Sequence, residues 1–111
     1  MKYLILGYIT ETGQQLPGPD LEAWMQEIGA WYEKWGSSGK LADPGFQLAG
    51  SAKTIRPGGV IDGPFMESKE VLGGYSLLET DTIDEAVEIT RTWPGIDRGL
   101  LTMEVRPVVE Q

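Results

Sequence analysis

The sequence predicts one α+β domain, spanning residues 1–111, in which a four-stranded antiparallel sheet carries two main helices. Three observations predict it. Strand-like segments open and close the chain, "KYLILGYIT" and "LLTMEVR". A long Trp-rich amphipathic segment follows the first strand. A second, capped helix lies between the last two strand patterns.

In the first strand, residues 2–10, Tyr3, Ile5 and Ile9 alternate with Leu4, Leu6 and Tyr8, so both faces carry apolar side chains. Gly7 leaves space on one face. "ETGQQLPGPD" is turn-rich, with Pro19 suited to a first helical turn. From Leu21 to about Gly36, Leu21, Trp24, Met25, Ile28, Trp31, Tyr32 and Trp35 recur at spacings of three and four and draw a helical stripe. "GSSG" stops it. Phe46–Leu48 reads as the start of an extended segment, and residues 51–56 as a principal strand. Pro57 ends that strand, Gly58–Gly59 turn, and Val60–Ile61 form a short return. Val71–Glu79 and Leu100–Arg106 are the remaining strands. Between them, Thr82 with Glu85 three residues on forms a capping box, and Pro94–Gly95 end the helix. This order suggests a ferredoxin-like sandwich.

Two helices cover one face of such a sheet, and the other remains apolar. A second copy covers it most economically, so a homodimer is expected. The formal charge of −8 argues against direct nucleic-acid binding and against adhesion to an anionic membrane. The chain has no Cys and no His, which removes disulfides, thiolate or imidazole metal sites, Cys nucleophiles and His bases. Asp81, Asp84, Glu85 and Glu88 surround a helix N-terminus, where the helix dipole accounts for them, and no metal or cofactor is expected. No apolar run has membrane-spanning length, so a cytoplasmic protein is expected.

The stretch "GGVIDGPFMESKEVLGGYSLLE" holds the main candidates for chemistry. As structure alone it is a packed turn and loop, with Asp62 accepting backbone hydrogen bonds. As function it places Asp62, Ser68, Lys69 and Glu70 at a cleft mouth, where Lys69 holds an anionic group and Asp62 or Glu70 moves a proton. Arg56 reaches the same cleft, which implies a small acidic ligand. Glu104 and Arg106 share a strand face as a polar pair or an anion clamp. Trp31 or Trp35, with Tyr3 or Tyr8, is the candidate lining of an aromatic pocket.

"MKYLILGY", "IDGPFMESKEVLGGYSLLET", "TIDEAVEITRTWP" and "MEVRPV" resemble the YCII-related, or DGPF-domain, family. The resemblance covers the start of the chain and nearly all of residues 61–108. It departs most in residues 11–50. It implies a ferredoxin-like fold of the dimeric α+β barrel group. It also retains Glu67, Lys69, Tyr75 and Arg106 as motif positions. Some relatives are associated with extracytoplasmic-type sigma factors, while other branches look like small enzymes with a His–Asp pair. Without His that pair cannot exist here.

Two readings follow. The first is a non-catalytic homodimeric binding or accessory protein, regulatory and linked to transcription initiation, with Arg56, Asp62, Lys69, Tyr75 and Arg106 on its ligand. The alternative is a small cleft enzyme in which Asp62 or Glu70 acts with Lys69, Tyr75 or Arg106.

Overall fold

A computed structural model describes residues 1–65 and 68–110. Its main sheet contains β1 (Lys2–Ile9), β2 (Leu41–Gln47), β5 (Val71–Glu79) and β6 (Leu101–Pro107), in the order β2-β5-β1-β6 with all pairings antiparallel. The helices are α1 (Glu11–Gln14), α2 (Gly18–Gly36) and α3 (Ile83–Arg91). This is the expected ferredoxin-like α+β arrangement.

The expected fourth strand differs. The segment predicted at 51–56 does not join the main sheet. Its β3 (Lys53–Arg56) pairs with β4 (Gly59–Asp62) as a separate two-stranded hairpin. The main sheet instead takes Leu41–Gln47, where "DPG" reads as a turn. Pro44 is tolerated because β2 is an edge strand, and the register slips between Asp43 and Phe46. Gly45 makes the slip workable. Its φ is +69°, and a Cβ there would meet the Tyr75 carbonyl oxygen. The Asp43 carboxylate accepts from the Gly45 N–H at 2.8 Å.

The residues 11–14, expected as turn, form a short helix because Thr10 caps it. The Thr10 Oγ1 accepts from the Gly13 N–H at 3.1 Å and donates to the Gly99 carbonyl at 2.6 Å. For α3 the expected capping box is present. The Glu85 N–H donates to Thr82 Oγ1, and Glu85 returns to accept from the Asp81 N–H, both at 3.2 Å.

Tyr3, Ile5 and Leu78 on the sheet pack against Trp31 of α2 and Ala86 and Ile89 of α3 in one buried cluster. Trp24, Leu100 and Leu101 form a second. Both long helices therefore lie on the Tyr3–Ile5 face. Leu4, Leu6, Tyr75 and Leu77 occupy the opposite face, where Leu4 pairs with Leu77 and Leu6 with Tyr75.

Two glycine substitutions separate backbone need from empty space. Gly45→Ala forces a left-handed residue and a clash, so it is expected to cost about 2 kcal/mol or more. Gly29→Ala in α2 meets nothing within 4 Å and is expected to stabilise by about 0.5–1 kcal/mol. Urea unfolding midpoints of the two variants check both signs.

Candidate functional site

Between α2 and the sheet lies an open cavity of about 570 Å³, within the range of roughly 300–1,000 Å³ usual for small-ligand sites. Its floor follows from glycine. Gly7 of β1 and Gly74 of β5 are direct partners on the helix-facing side and put no side chain of their own into the space, while Met103 of β6 packs beside Gly7. Gly29 on α2 adds no side chain from above. The same helix supplies Leu21, Met25, Ile28 and Tyr32, four residues at helical spacing that all line the space.

The wall towards α3 is aromatic. Trp31 and Trp93 have ring centroids 4.5 Å apart, and Tyr32 meets both edge-on at 5.2 Å. Trp24 lines the cavity and donates its indole N–H to the Pro94 carbonyl at 2.8 Å. The buried indole N–H of Trp93, another lining residue, has no hydrogen-bond partner among the described residues.

Within this apolar lining sits one hydroxyl pair. The Tyr32 hydroxyl and Ser76 Oγ lie 2.6 Å apart, and Ser76 donates to the Pro44 carbonyl at 2.8 Å. Because a serine carries a single hydroxyl proton, Tyr32 is the donor to Ser76. Burial pushes the Tyr32 phenol above its ordinary pKa, against a smaller opposing effect of Ser76. Tyr32 therefore stays protonated at neutral pH, a hydrogen-bond donor rather than a base. Its oxygen keeps accepting capacity for a ligand hydroxyl.

The sequence-predicted residues do not converge on this cavity. Asp62 ends β4 and pairs with Lys53, its side chain 84% exposed. Arg56, also on the hairpin, stacks its guanidinium over Phe65 at 5.0 Å. Glu70 accepts from Thr102 Oγ1 at 3.2 Å, and Ser68 Oγ accepts from the Glu70 N–H at 3.1 Å. Tyr75 borders the cavity, but its register with Leu6 turns the ring to the opposite face, 6.2 Å from Phe46. Lys69 is the member nearest the site. Its carbonyl accepts from the lining residue Gln14 at 2.7 Å, while its ammonium lies 3.9 Å from Glu11. Glu67 lies outside the described residues. Of the aromatic pocket expected from Trp31 or Trp35 with Tyr3 or Tyr8, the location between helix and sheet holds, but the lining is Trp24, Tyr32 and Trp93. The pairing of Gly7 with Gly74 was the signal that marked the floor, and the sequence alone does not reveal that register. Among the described residues no group of three Asp or Glu side chains is placed to hold a metal.

The Glu104–Arg106 pair is present on the opposite face. Arg106 Nε donates to Glu104 at 2.6 Å, and the Tyr8 hydroxyl donates to the same carboxylate at 3.1 Å. The Arg106 hydrogen bond holds the Glu104 carboxyl below its ordinary range, with Tyr8 adding to it and desolvation opposing. Tyr8 is raised, by desolvation first and then by its bond to Glu104.

The family model of the YCII-related domain matches residues 1–110. The chain belongs to the YCII-related family. An uncharacterised protein of Rhizobium meliloti (strain 1021) is 33% identical over 90 residues, covering 76% of this chain and 72% of that protein. Among solved structures, this YCII-related chain is similar to 5-chloro-2-hydroxyhydroquinone dehydrochlorinase (TftG) from Burkholderia phenoliruptrix AC1100, in complex with 2,5-dihydroxybenzoquinone. The TM-score is 0.58 at 17% identity, covering 100% of this chain and 96% of that one. The fold is thus shared with an enzyme over its whole length. That finding overturns the expected non-catalytic accessory role linked to transcription initiation, which is withdrawn. Among the described residues, no helix is long and apolar enough to cross a membrane.

The Glu104 cluster makes a pH prediction. A carboxyl whose folded pKa is depressed contributes stability above its unfolded pKa and loses it as pH falls through the folded value. Wild type and Glu104→Gln should therefore differ in thermal midpoint at neutral pH and converge below about pH 4. Scanning calorimetry across pH checks the convergence.

Proposed function

We propose that this chain is a small cleft enzyme acting on hydroxylated ring compounds of one-ring size, with Tyr32 as the group that holds a ring oxygen. The observation that carries this is the Tyr32–Ser76 pair set alone in an aromatic, glycine-floored cavity. A ring of that size stacks against Trp93 and Trp24 and spans the glycine floor at Gly7 and Gly74. Its oxygen then meets Tyr32. The similarity to a dehydrochlorinase bound to a dihydroxybenzoquinone supports the substrate class.

The chemistry follows from what the lining offers. Among the described residues it contains no carboxylate, ammonium or guanidinium. Ring hydroxyls of this substrate class ionise readily in water, so the site need not supply a strong base. It must stabilise the ring oxyanion while a ring carbon takes a proton from water at the open cavity mouth; in the elimination a second ring hydroxyl then loses its proton to that water as its electron pair forms a C=O bond and halide departs to solvent. Tyr32, kept protonated by burial, turns its hydroxyl proton from Ser76 to that oxygen in a water-poor space, where such a bond is worth most. Ser76 orients the phenol. This fits tautomerisation or elimination on the ring. Lys69, whose carbonyl accepts from the lining residue Gln14, remains a proposed entrance residue for the anionic form of the substrate.

The working unit is proposed to be a homodimer in which the faces bearing Leu4, Leu6, Tyr75 and Leu77 meet. The two long helices lie on the other side of the sheet, so this face has apolar residues left for a second copy. Each sheet would then lie between its own helices and its partner, with one cavity per subunit.

Isothermal titration calorimetry with 2,5-dihydroxybenzoquinone and with benzene-1,2,4-triol tests the site. Saturable binding at one site per chain is expected for wild type. Gly29→Phe, which fills the space above the floor, should abolish it. Tyr32→Phe should bind within a few-fold of wild type but lower any turnover by about 100-fold. Absence of saturable binding by wild type would remove the reading.

A further inference from the structure

A ring held by Tyr32 leaves one end of the cavity unused. Tyr32 and Ser76 stand at the first end, level with Ile5, the direct partner of Ser76 across the β1–β5 pairing. Gln14 of α1 stands at the other end and also lines the cavity. Its amide nitrogen donates to the Ile9 carbonyl at 3.0 Å and to the Lys69 carbonyl at 2.7 Å. A primary amide has two N–H donors and one acceptor oxygen, and only its nitrogen end can bond two carbonyls. Both donors are spent on backbone, which fixes the side chain, and Oε1 takes no hydrogen bond from any described residue.

Ile5 and Ile9 are four residues apart on β1, about 13 Å at roughly 3.3 Å per residue. The floor between them is glycine, with Gly7, Gly73 and Gly74 all on the lining. A ligand that reaches both ends gives up about 2.8 Å to a hydrogen bond at each, which leaves about 8 Å between its own two polar atoms. That exceeds the separation of two para oxygens on one ring. A ring with a two-carbon arm and a terminal hydroxyl, para to the held oxygen, fills it. Gln47 is the other amide on the lining besides Gln14. It pairs with Gly74 at the middle of the floor, and no described residue holds its side chain. Ordering it costs rotamer entropy that the tethered Gln14 has already lost.

We propose that Gln14 determines specificity by accepting a hydrogen bond at Oε1 from the end of a short side arm. The preferred substrate is then a hydroxylated ring that bears, para to the oxygen held by Tyr32, a two-carbon arm ending in a neutral O–H or N–H donor. This rests on the ring-binding reading given above and narrows its substrate class. Gln14 touches the arm and takes no part in the bond changes on the ring. Selection works by difference: a methyl in place of the terminal hydroxyl displaces water from Oε1 and returns no bond.

Isothermal titration calorimetry with 4-(2-hydroxyethyl)benzene-1,2-diol and with its isostere 4-propylbenzene-1,2-diol gives a ratio of two Kd values. From wild type to Gln14→Met the ratio should move about ten-fold against the hydroxyl-ended ligand, while the propyl ligand keeps its affinity within a few-fold. Gln47→Met should leave the ratio where it was. An unchanged ratio in Gln14→Met, or a shift produced by Gln47→Met instead, overturns the assignment and leaves the ring-binding reading standing. A wild type that binds neither ligand overturns both. A second measurement uses wild type alone and so does not depend on how the variants fold. The hydroxymethyl and ethyl pair, one atom shorter in the arm, should show a hydroxyl preference about ten-fold weaker than the longer pair. Equal preferences in the two pairs overturn the assignment.

Discussion

Trp31, Trp93 and Tyr32 meet one another in a triangle of rings, with centroids 4.5 to 5.2 Å apart, and this cluster sets how far α2 stands from the sheet. Rings of this size cannot be compressed, because interiors are close-packed and each ring needs its full thickness. Beside the cluster, Tyr3, Ile5 and Leu78 fill the gap and make a core. Further along the same helix the sheet offers Gly7 and Gly74, which fill nothing. The separation imposed by the aromatic cluster therefore becomes empty volume there. The cavity is the remainder of one spacing applied to two kinds of floor.

That origin also sets its chemistry. Charged groups lie on the outer sides of the helices, on the hairpin and on the face away from the helices, where Arg106, Glu104 and Tyr8 satisfy one another. Lys40 and Glu85 pair at 3.1 Å near the start of α3. What reaches the cavity from the described residues is aromatic and aliphatic surface, backbone, the Tyr32–Ser76 hydroxyls and the uncharged side chains of Gln14, Gln47 and Tyr75. Such a lining favours a flat ring, whose negative charge is delocalised and met by a hydrogen bond, over a compact ion that would need a full counter-charge beside it.

Much of this was legible in the residues. The Trp-rich stripe of α2, the Thr82–Glu85 cap and the outer strands follow local patterns that tertiary contacts reinforce. The β2 strand was hidden because "DPG" has turn chemistry, and only its edge position lets Pro44 and the left-handed Gly45 remain in a ladder. The site was half legible. Gly7 and Gly73–Gly74 each read as places of close approach, but their meeting depends on the β1–β5 register. The charged "MESKE" stretch drew attention because charge resembles chemistry. The group the cavity holds is Tyr32, which in sequence looks like one more residue of a core stripe.

The irregular β2 strand has a further effect on how copies of this chain can associate. An outer strand with a full row of free amides and carbonyls invites another strand to add alongside, and repeated addition gives fibres. At Pro44 there is no amide to offer, and the neighbouring slip in register bends the row out of line. Growth by lateral strand addition is blocked on that flank, so self-association is steered towards closed, finite particles and away from open-ended polymers.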